Sequence, residues 1–185
     1  MTAYLRFFTL LLLWNVQNVS SQEKQLNPLE VVPSVDLHRY AGTWYEVARL
    51  PNKFQEDCAG NVTATYNILG NGEINVVNRC LKSNGDTSEA EGVARRASDD
   101  EPNTKLKVRF APAFLSFLPM VWGDYWIIDL APDYSYAVIG EPNRDYLWVL
   151  ARTPGLDKDI LLEILGRVKQ NGYDLRNVTY TRQTQ

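Results

Sequence analysis

From residue 42 onward the chain alternates apolar and polar residues in short runs divided by turn chemistry. In VTATYNI, Val62, Ala64, Tyr66 and Ile68 alternate with Thr63, Thr65 and Asn67, and EINVVN sets Ile74 and Val76 on one side. KLKVRF alternates Leu106, Val108 and Phe110 with Lys105, Lys107 and Arg109. Successive side chains of a strand point to opposite faces, so each run reads as a strand with one dry and one wet side. The breaks GNG (70–72), SNG (83–85), DDEPN (99–103), APD (131–133) and EPNRD (141–145) carry the residues that turns demand. The pattern predicts eight strands, at roughly 43–51, 60–69, 73–80, 87–96, 104–110, 122–130, 134–140 and 145–152.

DKDILLEILGRVKQNG then changes period. Ile160, Leu161, Ile164, Leu165 and Val168 form one helical stripe, with Asp157 as N-cap and Gly172 as stop, and a short final strand is expected near 176–181. Consecutive strands on short turns favour a meander, and eight strands can close. The expected fold is therefore all-β, an eight-stranded antiparallel up-and-down barrel with one C-terminal α-helix on its outside. The inward faces mix small residues (Ala48, Ala64, Gly92, Ala94, Ala137) with Tyr66, Phe110 and Trp148. That many small positions leave room for a ligand in a barrel of this size. The lining is apolar, with Asn78 and tyrosine hydroxyls as polar points, which suits an acyl chain or similar molecule.

Composition narrows the function. The 185 residues suit one domain, and at net charge −3 the scattered Lys and Arg give no nucleic-acid footprint. One histidine, His38, and two cysteines, Cys58 and Cys80, do not make an ordinary zinc set, and no metal or cofactor is expected. Residues 1–21 combine Arg6, the run FFTLLLLW and a small, polar end NVSS, the layout of a secretory signal peptide; a weak membrane anchor is the alternative. A lead-in over 22–35 and a single domain over 36–185 follow. Export makes a Cys58–Cys80 disulfide the expectation, against two buried thiols.

The residues also resemble a family. Gly42-Thr43-Trp44 looks like the G-x-W signature of lipocalins, GDYWIIDLAPDYSYAVIGEP is similar to their second block, with Gly123-Asp124-Tyr125 where Thr-Asp-Tyr is usual, and YLWVLARTP resembles the third. Order and spacing cover about residues 30–182, and GTWYEVARLPNKF, VTATY and RDYLWVLARTP are most like the bacterial outer-membrane lipocalin and apolipoprotein D branch. The resemblance implies that Arg152 lies across Trp44 and seals one end of the barrel, with Gly42 at the entry turn. Glu46 has the parity of Trp44 and should point inward, either as a polar anchor for a ligand or as a buried carboxylate satisfied by the protein.

In such a meander the connections after strands one, three, five and seven lie at the open end. The connection after strand five, APAFLSFLPMVWG (111–123), carries Phe114, Leu115, Phe117, Leu118, Met120, Val121 and Trp122 without a charge. It reads as a lid, a membrane-docking tip or a dimer contact, or else as core tucked into the mouth. Strand parity and the resemblance together place Ala48, Tyr66, Val76, Asn78, Gly92, Val108, Phe110, Tyr125, Ile127, Ile139 and Trp148 around the ligand. The function these features suggest is an exported lipocalin, secreted or periplasmic, carrying a fatty acid, lysophospholipid or similar lipid, with peripheral membrane contact and homodimerisation as further expectations. Alternatives are an enzyme on the same barrel, of isomerase or de-epoxidase type, or a haem or pigment carrier using Tyr66 or Tyr125. For the enzyme the sequence offers no concentrated acid–base or nucleophile set.

Overall fold

The computed structural model describes residues 27–184; the expected signal peptide, 1–21, and the start of the lead-in lie outside the described residues. A four-residue helix α1 (Leu37–Tyr40) precedes the strands, capped by the Asp36 carboxylate, which accepts from the backbone N–H groups of His38 and Arg39. The strands are β1 (Gly42–Arg49), β2 (Cys58–Ile68), β3 (Ile74–Lys82), β4 (Thr87–Arg96), β5 (Lys105–Arg109), β6 (Gly123–Leu130), β7 (Tyr136–Gly140) and β8 (Leu147–Ala151). Helix α2 (Lys158–Gln170) and a short β9 (Thr179–Tyr180) follow. Each strand pairs antiparallel with the next, and β8 pairs with β1, which pairs with β2, so the eight strands close on themselves as expected.

Two apolar layers result. Inside the barrel, Trp44, Ala64, Tyr66, Ile74, Val76, Ala94, Leu106, Ile127, Ala137, Ile139 and Leu150 form one cluster, joined by Val35 and Tyr40 at its base. The alternate residues Ile128, Val138, Leu147 and Val149 face outward and meet Ile164, Leu165 and Val168 of α2. The Asp157 carboxylate caps α2 through the N–H groups of Asp159 and Ile160, and Arg167 bonds Asp129 of β6 at 2.9 Å. Ile160, expected in the buried stripe, is 41% exposed: it lies in the first turn of α2, and the buried residues of the helix begin at Ile164. The lead-in is not merely polar tether: Val32 donates to the Ile127 carbonyl and Val35 exchanges two hydrogen bonds with Asn103, which straps the segment across the closed end.

Strands β1 and β2 pair only over Gly42–Tyr45 and Thr63–Tyr66. Above that height the C-terminal segment runs along the seam. β9 pairs with Ala48 and Arg49, Thr181 donates to the Val47 carbonyl, and Asn61 donates to the Arg182 carbonyl. The Gln183 amide donates to both walls, to Glu46 O at 2.8 Å and Val62 O at 2.9 Å. Cys58 and Cys80 are joined by a disulfide that ties β2 to β3 near the open end.

Candidate functional site

The closed end is built around Trp44, which is fully buried. Its indole N–H donates to the Tyr40 carbonyl at 2.8 Å, and the Arg152 guanidinium lies 3.8 Å from its ring centroid. Arg152 also donates to the carbonyls of Thr43 (3.1 Å), Arg39 (2.5 Å) and Tyr40 (3.1 Å), so one fork satisfies the backbone at the turn into β1. Gly42 makes that turn with φ +93°, a conformation that a Cβ disfavours. Gly42, Trp44 and Arg152 thus meet at the turn into β1.

Above this floor, three tyrosine hydroxyls meet. Tyr125 lies 2.7 Å from Tyr40 and 2.8 Å from Tyr66, hydroxyl to hydroxyl. Burial raises all three phenols, Tyr66 to about 12 and the other two well above the ordinary value, so the linked hydroxyls stay neutral.

The inner wall divides by exposure. Tyr66, Val76, Ile127 and Ile139 are buried members of the inner cluster. Asn78, Val108, Phe110, Tyr125 and Trp148 keep solvent exposure, and so does Ala90, which sits opposite Asn78 on the same face. The inner face is therefore solvent-accessible towards the open end, the cup of the barrel, and buried towards the floor. Gly92 lies opposite Val76, and the Phe110 ring packs over it so closely that a Cβ would sit 2.7 Å from the ring.

One expected lining residue is misplaced. Ala48 faces outward, 1% exposed, in the layer beneath α2. A bulge in β1 between Glu46 and Ala48 inserts one extra residue against β8, which reverses the parity beyond it. The same bulge brings Arg49, opposite Trp148, onto the inner face, where simple alternation would have turned it out.

Glu46, opposite Leu150, does point inward and is 2% exposed. Its Oε1 accepts from Arg49 Nη1 at 2.7 Å and from the Thr181 hydroxyl. Burial raises its carboxyl above the ordinary range, against the opposing pull of Thr181 and Arg49. Arg49 also donates to the carbonyl of Gln55, whose side chain accepts from the Trp148 indole at 3.2 Å. Arg49, Gln55 and Thr181 escape a reading by alternation: they arrive through a bulge, a loop and a segment more than a hundred residues downstream. The one signal in the sequence was the need of Glu46 for a partner.

The connection from β5 to β6 does not tuck into the mouth. It forms two short 3-10 turns, Ala113–Leu115 and Pro119–Val121. Phe114 (74%), Phe117 (75%) and Met120 (87%) stand exposed, while Leu115 and Leu118 are half-buried. Trp122 is held at the base by a 2.8 Å bond from its indole to the Ser116 carbonyl. Across the mouth, Phe54 (60% exposed) packs against Tyr146, which stacks in turn on Trp148. Among the described residues no helix is long and apolar enough to cross a membrane.

Comparison with known proteins agrees with this geometry. Residues 35–183 match the family model described as a lipocalin-like domain. The chain is 38% identical over 157 residues to temperature-induced lipocalin-1 of Arabidopsis thaliana, covering 84% of this chain and 83% of that protein. It is 36% identical over 154 residues to the outer membrane lipoprotein Blc of Vibrio cholerae, covering 82% and 85%. Apolipoprotein D of Mus musculus is 32% identical over 162 residues, covering 83% and 79%.

Proposed function

The chain belongs to the lipocalin family, and from that premise we propose that it is an exported carrier of a small lipid, a fatty acid or lysophospholipid, rather than an enzyme. The observation that carries this reading is the graded inner wall: apolar and buried below, accessible at Asn78, Val108, Phe110 and Trp148 above. An acyl chain entering that cup replaces water along apolar walls, a gain of about 0.8 kcal/mol for each methylene buried. The polar points are few and sit at the rim of the dry region: the Tyr125 hydroxyl, Asn78, Gln55 and the Glu46–Arg49 pair. Glu46 serves the fold in this reading, because its Oε1 is already engaged by both Arg49 and Thr181.

The exposed Phe114, Phe117 and Met120 support a second part of the proposal, that the open end docks on membranes or lipid aggregates to load its cargo. Names of relatives that are outer membrane lipoproteins fit an envelope setting, as do the disulfide and the signal-peptide pattern of residues 1–21. A homodimer through the same apolar loop is the competing use of that surface.

The test uses Trp148 as reporter. Titrating delipidated protein with a lysophospholipid should change the Trp148 emission with saturation at one ligand per chain, and native mass spectrometry should give the same mass increment. A flat titration with a range of single-chain lipids would overturn the carrier reading. Phe117→Ser with Leu118→Ser should abolish vesicle binding while leaving that titration intact in detergent-free solution; unchanged vesicle binding would sink the docking reading alone.

A further inference from the structure

The outer wall beside the apolar loop carries a charge arrangement that the lipid cup does not use. β4 and β5 pair Val93 with Arg109 and Arg95 with Lys107, so these side chains lie on the outer face while Ala94 and Val108 face the lumen. Arg95 lies 4.1 Å and Arg109 5.2 Å from the centroid of the Trp122 ring. Of the nearby carboxylates, Asp124 pairs with Lys107 at 2.7 Å and Glu101 with Lys105 at 2.7 Å, while Glu91 keeps its charge and accepts from the neutral Asn75 amide at 2.7 Å. Among the described residues neither Arg95 nor Arg109 has a carboxylate within ion-pair distance.

Arg109 is the more unusual of the two. It is 9% exposed, donates one bond to the Ala111 carbonyl, and leaves its Nε buried with no acceptor. A buried cation without a counter-charge is costly, and a cation–π contact of about 1 kcal/mol offsets only part of that cost. A cleft of about 330 Å³ opens beside it, walled by Asn75, Glu91, Arg109 and Phe110 and roofed by Ala111–Ala113 at the root of the loop. Exposed Arg95 approaches the same Trp122 ring, whose indole ties the root of the loop to Ser116.

We propose that Arg95, Arg109 and Trp122 form a phosphate site for the headgroups of an anionic membrane, so that docking through Phe114, Phe117 and Met120 selects anionic lipid surfaces. The inference rests on the docking part of the proposed function. Charge complementarity names the occupant: two unpaired guanidiniums sit at the root of an apolar tip, so a tip inserted among acyl chains brings them to phosphate depth. Arginine forks match phosphate oxygens in pairs, and the weakly hydrated guanidinium stacks on the indole without losing its donors. Each cation held near such a surface is worth about a fivefold change in partitioning. The chain as a whole is net negative, at −3, so attraction to an anionic bilayer must come from a local patch.

The experiment measures partitioning of the full chain onto vesicles of phosphatidylcholine alone and of phosphatidylcholine with roughly a third phosphatidylglycerol. The wild type should prefer the anionic vesicles by at least about tenfold, and Arg95→Gln should cut that preference about fivefold without changing binding to neutral vesicles. Adding Arg109→Gln should remove the rest; Arg95 is exposed, so the single variant keeps the test valid if the double variant fails to fold. Lys169→Gln, on the exposed face of α2, should leave the preference unchanged. Equal binding of wild type to both vesicles overturns the headgroup site while leaving docking intact, and binding to neither overturns both. An Arg95→Gln preference equal to wild type, or an equal loss in Lys169→Gln, also overturns the site. A Trp122 emission change with inorganic phosphate, without any discrimination between vesicles, would assign the cleft to a free anion instead.

Discussion

The guanidinium of Arg152 lies 3.8 Å from the ring centroid of Trp44 at the closed end of the barrel, although the two residues stand 108 positions apart in the chain. The contact joins β1 to the chain leaving β8, and its polar side closes three carbonyls of the entry turn. Arg152→Ala should lower stability by roughly 2–3 kcal/mol, the sum of a cation–π contact and charged hydrogen bonds, reduced because Arg152 is partly exposed. Urea unfolding measures the loss. Lipid affinity, measured where the variant is fully folded, should be unchanged, and Arg152→Lys should recover only part of the stability because an ammonium lacks the planar fork.

Glu46 and Arg49 form a pair inside the barrel, 2% and 11% exposed at their side chains. Removing one partner strands the other, so Glu46→Ala should cost about 3–5 kcal/mol in chemical denaturation, more than Thr181→Ala. The pH dependence has a definite sign. The folded carboxyl has a raised pKa, so below it the folded protein holds a proton that the unfolded chain releases until about pH 4.3. Stability of the wild type relative to Glu46→Gln should therefore increase as pH falls through the raised value towards about 4.3, and level off below it. A decrease over that window would contradict the burial-driven shift.

The tyrosine cluster gives an alkaline counterpart. Tyr40, Tyr66 and Tyr125 hold their protons in the folded state above the ordinary phenol value of about 10, Tyr66 to about 12. Their stabilising contribution is complete below about pH 10 and is lost as pH rises towards the folded values. Spectrophotometric titration should show these three phenols ionising late and together with unfolding. Tyr125→Phe leaves two buried hydroxyls without their shared partner and should cost about 1–3 kcal/mol, while Tyr40→Phe should cost less.

The disulfide between Cys58 and Cys80 closes a loop with a sequence separation of 22. Replacing both residues with serine should lower stability by about 3 kcal/mol, and reduction of the wild type should give the same loss. Thermal melting with and without a reductant is the measurement.

Much of this architecture was legible because alternation is a direct record of a sheet with one dry face. The runs around Val62–Ile68 and Leu106–Phe110 fall where the pattern places them, and so does the α2 stripe apart from Ile160. Parity failed at the bulge after Glu46, which sent Ala48 out and Arg49 in, since a single extra residue leaves no trace in hydrophobicity. The expected apolar loop was found, yet its exposure was not readable, because the same residues suit a core or a surface. The guanidinium pair on Trp122 was invisible for a different reason: Arg95 and Arg109 meet only through the β4–β5 register.

Gln183 bridges Glu46 and Val62 across separations of 137 and 121 residues. A chain synthesised from its N-terminus has β1 ready long before the segment that locks its upper half to β2. The lower halves of these strands pair directly, but the upper seam can close only after nearly the whole domain has been made, so its completion is the last step of assembly for a chain emerging in order.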